Sequence, residues 1–271
     1  MSENGKIIRY FGGKGGVFID TLLPYFPKSD IYIEPFGGSA TMLLNQRTPI
    51  EIYNDMYENV YSLFKVISSI EMFPLFQRKC ELAFFSEQLR EESKKALKGD
   101  LSIIDRAFHY FYINRTSRNG VGGFCVNLSI RRGMAKSTSD FLSCVDGLEA
   151  FYQRLKSVIF MNRDALDIIN EFDKKNVFFY LDPPYHHSTR GSTRYPCDMT
   201  DEKQAQFLGL IVKSNAKVLI SGYDCEYYKV LEENGWWKES FAVKTVSADN
   251  KPKSKIETIW GNYEKPISSL F

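Results

Sequence analysis

Short apolar runs and amphipathic stretches alternate in the first and last thirds of the chain. Residues 31–33 and the run that begins at Ile50 are short enough to be buried strands, and helical apolar spacing follows each of them. Further apolar runs lie at 176–181 and 217–222, and a closing antiparallel pair of strands is expected at 241–246 and 256–263. This order of strand, glycine turn, helix and strand predicts a doubly wound α/β sheet.

The middle of the chain has a different pattern. Residues 72–98 are charged with helical spacing, 101–113 form an aromatic-rich predicted helix, 114–127 are Gly-rich and irregular, and helical spacing returns at 141–155. We therefore expect a mainly helical recognition domain at 71–157, inserted into a sheet domain formed by 1–70 and 158–271. The alternative is that the middle segment is more of the same domain.

The charge balance narrows the functional classes without selecting one. The chain has 271 residues, with 35 Lys and Arg against 33 Asp and Glu, and a formal net charge of +2. That total excludes a bulk polycation such as a histone-like packing protein, but a local basic patch can still bind nucleic acid. Hydrophobic residues make up 44% and charged residues 25%, as in a folded globular protein. The 21 Phe, 16 Tyr and 3 Trp fit a large aromatic core, with stacking surfaces for bases as the alternative.

Cysteine and histidine usage argues against a metal centre. The five cysteines are scattered and form no C-x-x-C pair, which fits neither a zinc knuckle nor a disulfide framework. With only three histidines and no paired carboxylate spacing, we expect no metal site. The sequence contains no apolar stretch typical of a signal peptide or a membrane-spanning helix. These features predict a cytoplasmic protein with no membrane partner.

One long segment carries charge of a single sign. Residues 106–139 contain no Asp or Glu and six positive charges. The cations are Arg106, Arg115, Arg118, Arg131, Arg132 and Lys136. In a chain whose charge totals are nearly equal, such a segment indicates a nucleic-acid contact. A solvated basic loop is the alternative.

The motif with the most chemical content is D-P-P-Y at residues 182–185, directly after the apolar run 176–181. A polar residue there lies at the carboxyl end of a buried strand, where open α/β sheets bind ligands. Neither proline can donate an N–H group, so the loop offers the Asp182 carboxylate and the Pro183 carbonyl as acceptors. Tyr185 adds an aromatic face. This combination fits a planar ring that bears an amino group, and a rigid turn without chemistry is the alternative.

With the motifs of the rest of the chain, this loop resembles the Dam-like DNA adenine-N6 methyltransferases (D12, alpha-group class), nearly from end to end. The motifs are Y-F-G-G-K at 10–14, E-P-F-G-G-S at 34–39, N-D at 54–55, N-R at 114–115, N-G at 119–120, N-R-D-A at 162–165, D-P-P-Y at 182–185 and E-T-I-W-G-N-Y at 257–263. Their order also matches the family. The resemblance implies a methyltransferase sheet, catalytic at 1–70 and 158–271, split at 71–157 by a target-recognition domain with a hairpin.

The resemblance implies S-adenosylmethionine as the cofactor. Lys14 would pair with its methionine carboxylate, with Tyr10 packed nearby. Asp55 would accept hydrogen bonds from the ribose hydroxyls, and Asp164 would contact the adenine amine. Further expected contacts are Glu34, Phe36, Gly37, Ser39 and Asp182. The two glycines would let the backbone approach the cofactor closely. As the alternative, Asp55 and Asp164 are helix caps.

The resemblance also implies double-stranded DNA as the partner, contacted by a recognition hairpin. The expected contacts are Asn114, Arg115, Arg118, Asn119, Arg131, Arg132, Lys136 and Arg190. Two departures from the family pattern leave the recognition sequence open. Arg118 stands where the family has an aromatic residue, and no base-reading arginine follows Asn119. We expect a monomer or weak dimer in a bacterial or phage-infected cell.

The implied reaction transfers a methyl group to the N6 amine of an adenine flipped out of the duplex. Tyr185 would stack on the adenine, and Asp182 and Pro183 would accept its amine hydrogens on a turn made rigid by Pro184. Two alternatives stay open: a methyltransferase for RNA adenine or protein glutamine, and a silent DNA-binding module. An ATPase is disfavoured because the glycine-rich residues 12–16 do not satisfy G-x-x-x-x-G-K-[ST].

Overall fold

The computed structural model describes residues 7–8, 16–120, 122–185, 197–246 and 252–266. The contacts divide the chain into two compact units, which we call the helical unit and the sheet unit. The helical unit comprises Met1–Gly16, Gly38–Gln46 and Tyr57–Asn162, and the sheet unit comprises Val17–Gly37, Arg47–Met56 and Arg163–Phe271.

The helices and strands follow one another in a mixed α/β order. In the described residues, the helices are α1 Gly16–Leu22, α2 Thr41–Asn45, α3 Glu58–Ser68, α4 Phe73–Leu82, α5 Glu87–Ala96, α6 Ile103–Thr116, α7 Lys136–Asp146, α8 Leu148–Leu155, α9 Ala165–Phe172, α10 Asp201–Ile211 and α11 Lys229–Glu233. The strands are β1 Ile31–Glu34, β2 Ile50–Asn54, β3 Ile130–Arg131, β4 Met134–Ala135, β5 Ile159–Met161, β6 Val177–Leu181, β7 Lys217–Gly222, β8 Trp237–Val246 and β9 Pro252–Gly261. No helix in this part of the chain is long and apolar enough to cross a lipid bilayer.

The sheet unit confirms the predicted α/β sheet. Its strands follow the order β2-β1-β6-β7-β9-β8, in which β2, β1, β6 and β7 run parallel to one another. All five residues of β6 are buried. Both faces of the central strand are therefore covered, which explains why its sequence is a continuous apolar run.

The strand order creates a switch point at the carboxyl edge of the sheet. The chain leaves β1 for β2 on one side and later enters β6 on the other side of β1. In open α/β sheets, ligands bind outside the carboxyl ends of the strands at such a point. Glu34 ends β1, and Asp182 directly follows β6. The fold therefore brings these two carboxyl groups to the position where a ligand site is expected.

The predicted closing pair of antiparallel strands is also confirmed, and both strands begin earlier in the sequence than predicted. β8 and β9 pair in antiparallel register from Trp237 opposite Gly261 to Val246 opposite Pro252. Both strands therefore begin four residues before their predicted starts, at 241 and 256. β9 also pairs with β7, so this hairpin extends the parallel part of the sheet.

Amphipathic helices form the core of the helical unit. In α3, the buried residues Val60, Leu63, Phe64 and Ile67 recur at helical spacing and form one apolar face. α3 packs against α6, which also packs against α4 and α5. These contacts group α3 with the helical unit, whereas the sequence suggested a boundary at residue 71. A compact unit is not a functional domain, so the functional boundaries stay a prediction.

A tight hairpin joins β3 to β4 in the same unit. Arg132 and Gly133 occupy the two turn positions with φ values of 54° and 74°. Two-residue hairpins favour a turn with positive φ at both positions because its twist matches that of the strands. Upstream, α6 continues to Thr116, and Ser117 then pairs with Phe124 in an isolated antiparallel bridge.

Candidate active site

Three acidic residues lie at the carboxyl ends of neighbouring parallel strands in the sheet unit. Glu34 is the last residue of β1, Asp55 directly follows β2 and Asp182 directly follows β6. Glu34 is 2% exposed and Asp55 is 8% exposed, while Asp182 is half-buried. Carboxylates are rarely this buried without a specific role or partner. Their position matches the switch point that the strand order creates.

The carboxyl group of Glu34 is held by a neighbour on its own strand. The Tyr32 hydroxyl donates a hydrogen bond to Glu34 Oε1 at 2.5 Å. Burial raises the pKa of Tyr32 well above its ordinary value, and the charge of Glu34 raises it further. The phenol therefore keeps its proton and acts as a fixed donor to the carboxylate.

Asn54 ties together two loops that flank the predicted cofactor residues. Its side chain is fully buried, and its Nδ2 donates to the Pro35 carbonyl at 2.9 Å and to the Arg163 carbonyl at 3.0 Å. Its Oδ1 accepts from the Arg163 N–H at 2.9 Å. Asn54 thereby links the segments that carry Glu34 and Asp164 to the strand that ends before Asp55. The sequence motif N-D contained this residue without assigning it a role.

The glycine turn after β1 is shaped by packing as well as by backbone conformation. A Cβ atom on Gly37 would lie 2.1 Å from a ring carbon of Tyr53, and the Gly37 N–H donates to the Asn54 carbonyl at 2.9 Å. The predicted reason for Gly37 was close approach of a cofactor, but here a side chain of the protein already fills the space. Gly38 has a φ of 50°, a conformation that favours glycine.

Two other predicted cofactor contacts adjoin this turn in the sequence. The half-buried Phe36 packs edge-on against Phe207, with ring centroids 5.7 Å apart. Ser39 belongs to the helical unit, where its hydroxyl lies 2.6 Å from that of Thr41 and is buried. Both side chains thus have protein partners, and their cofactor contacts stay predictions.

Asp164 has the capping role that was the alternative to cofactor binding. Its Oδ1 accepts from the Leu166 N–H at 3.0 Å at the start of α9, and its Oδ2 forms an ion pair with Lys203 of α10. Burial acts to raise the pKa of Asp164, but the hydrogen bonds from Lys203 and Leu166 outweigh it and lower the pKa. The cap does not exclude a cofactor contact, because a carboxylate can accept about four hydrogen bonds.

A chain of hydroxyl groups orients Asp182. Ser221, in β7, donates to Asp182 Oδ1 at 3.3 Å, and the Tyr180 hydroxyl lies 3.0 Å from Ser221 Oγ. A serine hydroxyl has one hydrogen, so when it is given to Asp182 the Tyr180 hydroxyl must donate to Ser221. Burial raises the pKa of Tyr180 well above its ordinary value, and the charge of Asp182 adds to this. Tyr180 therefore stays protonated as the first donor of the chain.

The two prolines continue the loop without backbone donors. Pro183 is buried and Pro184 is half-buried. The Gln204 side chain of α10 approaches the Pro184 carbonyl, with Nε2 at 3.4 Å. The chemistry predicted for the loop needs two acceptors, the Asp182 carboxylate and the Pro183 carbonyl. The Gln204 contact involves the carbonyl of Pro184 and not that of Pro183, so the predicted role of Pro183 is unchanged.

Tyr185 is buried, with 6% of its surface exposed. Its hydroxyl donates to Glu257 Oε1 at 2.5 Å, and its ring meets that of Tyr223 edge-on, with centroids 4.6 Å apart. Burial raises the pKa of Tyr185 well above its ordinary value, and the charges of Asp182 and Glu257 raise it further. Glu257 was recognised only as part of the E-T-I-W-G-N-Y motif. Its burial against Tyr185 is a contact that sequence reasoning missed.

The predicted DNA contacts of the helical unit differ in exposure. Asn114 is only 3% exposed within α6, Arg115 is half-buried, and Arg118 is exposed in a short 3-10 turn at Arg118–Gly120. Three cations of the basic segment are paired with carboxylates just beyond its end. Arg131 and Lys136 both bond Asp140, at 2.6 and 2.8 Å, and Arg132 lies 3.6 Å from Asp146. The local charge is therefore lower than the sequence of the segment indicates.

Some predicted residues lie outside the described part of the chain. Tyr10, Lys14 and Arg190 belong to this group, as does the side chain of Asn119. Within the described residues, no group of His, Cys, Asp and Glu side chains could hold a metal ion.

The donor and acceptor chemistry of the sheet unit fits S-adenosylmethionine. The cofactor presents ribose hydroxyls, an adenine amine and an ammonium group, all of which need acceptors. Glu34, Asp55 and Asp164 supply carboxylate oxygens at or beside the carboxyl edge of the sheet. Two of the three, Glu34 and Asp55, are almost completely buried, and a buried carboxylate requires hydrogen-bond donors.

Comparisons with known sequences point to one family. A family model described as D12 class N6 adenine-specific DNA methyltransferase matches residues 10–246. The chain is 22% identical over 284 positions to the DNA adenine methylase of Escherichia coli K12, with 99% of each chain covered. It is 25% identical over 260 positions to the Type II methyltransferase M.MjaIII of Methanocaldococcus jannaschii, covering 86% of this chain and 88% of that one. Among solved structures, a precorrin-6y C5,15-methyltransferase from Geobacter metallireducens aligns with a TM-score of 0.39 and 9% identity, covering 92% of this chain and 89% of that one.

Proposed function

This chain belongs to the D12 class of N6 adenine-specific DNA methyltransferases, and from that premise we propose that it methylates an adenine that is flipped out of duplex DNA and bound by the loop 182–185. Site-specific methylation of DNA adenine is the activity of the family. The family implies S-adenosylmethionine-dependent chemistry, in which the bound cofactor supplies an electrophilic methyl group on a sulfonium ion.

The cofactor is held by acceptors at the carboxyl edge of the sheet. Asp55 accepts the ribose hydroxyls and Asp164 accepts the adenine amine. Glu34 receives the ammonium group, and Lys14 and Tyr10 hold the methionine carboxylate. The Asn54 bridge supports this assignment, since it fixes the loops on either side of Asp55 relative to each other.

The target amine is activated by hydrogen-bond acceptors and not by a strong base. The Asp182 carboxylate and the Pro183 carbonyl accept the two N6 hydrogens, which draws the nitrogen lone pair out of conjugation with the ring. The proton becomes acidic only as the new N–C bond forms and the bond between the methyl carbon and the cofactor sulfur breaks to leave a neutral thioether, so the proton then passes to Asp182. Tyr185 stacks on the base and offsets part of the few kcal/mol that flipping costs. Positioning and electrostatics supply most of the rate enhancement.

DNA is held by the basic segment of the helical unit, and the enzyme works as a monomer or weak dimer in the cytoplasm. Arg118 is the leading contact because it is exposed. Arg131, Arg132 and Lys136 exchange their carboxylate partners for phosphates when DNA binds, which keeps the free surface from binding anions indiscriminately. Asn114 and Arg115 lie deeper and position this face.

One observation carries the proposal: the Asp182 carboxyl lies at the switch point and is oriented by Ser221. Asp182→Asn keeps the shape of the side chain and removes its charge. We expect methyl transfer from labelled cofactor to duplex DNA to fall at least about 100-fold, with cofactor affinity within about threefold of wild type. Asp20→Asn changes an exposed aspartate of the same unit and serves as the matched control.

Near-wild-type turnover of the Asp182→Asn variant would falsify the proposed mechanism. The same assay with single-stranded RNA or a glutamine peptide in place of duplex DNA tests the two other methyl acceptors. Preference for either over DNA would overturn the substrate assignment.

A further inference from the structure

A buried carboxyl group on β9 reaches the catalytic loop from across the sheet. Glu257 is 6% exposed, and its Oε1 accepts the Tyr185 hydroxyl at 2.5 Å. Its neighbour Thr258 pairs with Gly222, the last residue of β7, and β7 in turn pairs with β6. The strand register therefore delivers Glu257 to the same edge of the sheet as the loop 182–185.

Placing a carboxyl group there is costly unless it makes hydrogen bonds. If Tyr185 served only as apolar packing, a phenylalanine would fill the same volume without a polar partner. The phenol instead has two separate attachments: the hydroxyl is held by Glu257, and the ring edge meets Tyr223 at an angle of 65°. One contact at the tip and one on the side together fix both the position and the plane of the ring.

We propose that Glu257 is a positioning residue of methyl transfer, which fixes the plane of the Tyr185 ring and thereby the angle at which the target adenine presents its amine to Asp182. The inference rests on the proposed role of the loop 182–185. An adenine stacked on a ring that can turn would present N6 to its acceptors in many orientations. Misalignment of reacting groups lowers the rate of the chemical step more than it weakens binding.

The proton on the phenol supports this arrangement. Burial raises the pKa of Tyr185, and the charges of Asp182 and Glu257 raise it further. The hydroxyl therefore keeps its proton and remains a donor at neutral pH. A hydrogen bond from a neutral hydroxyl to a carboxylate is shorter and stronger than a neutral one. Glu257 is thus suited to hold the ring where glutamine would hold it less firmly.

The test is a double-mutant cycle on full-length enzyme. We expect Glu257→Gln to lower the single-turnover methylation rate about threefold to tenfold, and Glu257→Ala and Tyr185→Phe each to lower it about tenfold to a hundredfold. Cofactor affinity and duplex DNA affinity should stay within about twofold. Because Glu257 acts through the Tyr185 hydroxyl, Glu257→Ala in a Tyr185→Phe background should cause little additional loss.

A spectroscopic readout separates positioning from general destabilisation. With 2-aminopurine at the target position of the duplex, loss of ring order should change the fluorescence of the flipped base in Glu257→Ala while the amount of bound DNA stays the same. Glu239→Gln on β8 is the matched control, since this glutamate pairs with Lys265 at the surface of the same hairpin. If Glu257→Ala does not fold, Glu257→Gln and Tyr185→Phe test the same hydrogen bond from its two ends.

Two results would overturn the inference. One is fully additive losses in the double-mutant cycle, which would mean that Glu257 acts independently of Tyr185. The other is a wild-type rate in every Glu257 variant that folds. Failure of the proposed function is distinct, because it appears as an active Asp182→Asn enzyme. An inactive Asp182→Asn together with wild-type Glu257 variants would reject only this inference.

Discussion

Asn54→Leu tests whether the buried Asn54 amide fixes the loops beside the predicted cofactor residues. The substitution keeps a side chain of similar size and removes three hydrogen bonds, to the Pro35 carbonyl, the Arg163 carbonyl and the Arg163 N–H. All three involve backbone groups beside predicted cofactor residues. The change therefore perturbs both stability and the alignment of the loops.

The magnitude follows from the burial of the site. Asn54 is fully buried, so a backbone group that loses its partner there costs about 1–3 kcal/mol. Three such losses total about 3–9 kcal/mol, and the added apolar contact of leucine offsets about 1–2 kcal/mol of this, which leaves a net loss of about 1–8 kcal/mol with a midpoint of about 4–5 kcal/mol. That is a large share of a stability of about 5–15 kcal/mol. We also expect cofactor affinity to fall about tenfold or more, because Asp55 and Asp164 lose their common anchor.

Urea unfolding followed by circular dichroism measures the first effect, and isothermal titration with the cofactor measures the second. Asn234→Ala is the matched control. Asn234 makes an exposed hydrogen bond to the Val230 carbonyl at 2.7 Å, and its loss should cost about 0.5 kcal/mol or less. If Asn54→Leu lost under about 0.5 kcal/mol and bound cofactor normally, the three hydrogen bonds would have no such role.

Two further substitutions test other parts of the structure. Asp140→Asn removes the carboxylate that competes with DNA phosphates for Arg131 and Lys136. Because one negative charge is lost, we expect tighter DNA binding at low salt and a slope of log K against log salt steeper by about 1, measured by fluorescence anisotropy. Unchanged affinity and slope would mean that these two cations do not reach phosphates. Gly37→Ala places a methyl group 2.1 Å from Tyr53 and should lower the free energy of unfolding by about 1–3 kcal/mol in urea titrations. Gly209→Ala, in a helix with open space, should instead stabilise by about 0.5–1 kcal/mol, and equal effects at both glycines would contradict the packing explanation.

The parallel sheet could be predicted because its signal is local. A strand buried on both faces is expected to be a continuous apolar run, and residues 177–181 show this directly in the sequence. The position of Asp182 followed from the same run, since a polar residue after such a strand lies at the carboxyl edge. For the same reason, β7 was predicted with its observed limits.

The contacts that hold the site could not be predicted, because they join residues far apart in the chain. Asn54 and Arg163 are 109 positions apart, and Tyr185 and Glu257 are 72 positions apart. Only the strand order brings them together. The basic segment illustrates a different limit. The stretch without Asp or Glu ends at residue 139, and the carboxylate that pairs with two of its cations belongs to the next residue, Asp140.

The sequence of the catalytic loop itself explains why its side chains need support from other strands. An aspartate in a turn commonly accepts a hydrogen bond from the N–H group two residues later. In D-P-P-Y, residues 183 and 184 are both prolines and have no N–H group, so Asp182 cannot be oriented in that way. The prolines keep the loop rich in acceptors for an amine substrate, but they contribute no N–H group that could orient its carboxyl group.

Donors and acceptors from neighbouring strands compensate for this loss. The Ser221 hydroxyl of β7 orients Asp182, and Glu257 of β9 holds Tyr185. Both come from strands on the same side of β6, so the part of the sheet made by β7 and β9 acts as the support of the loop. The acceptors of the loop and the hydrogen-bonding side chains on the adjacent strands thus serve one chemical requirement. A site that binds an amine through its hydrogens needs acceptors whose positions are fixed by other residues.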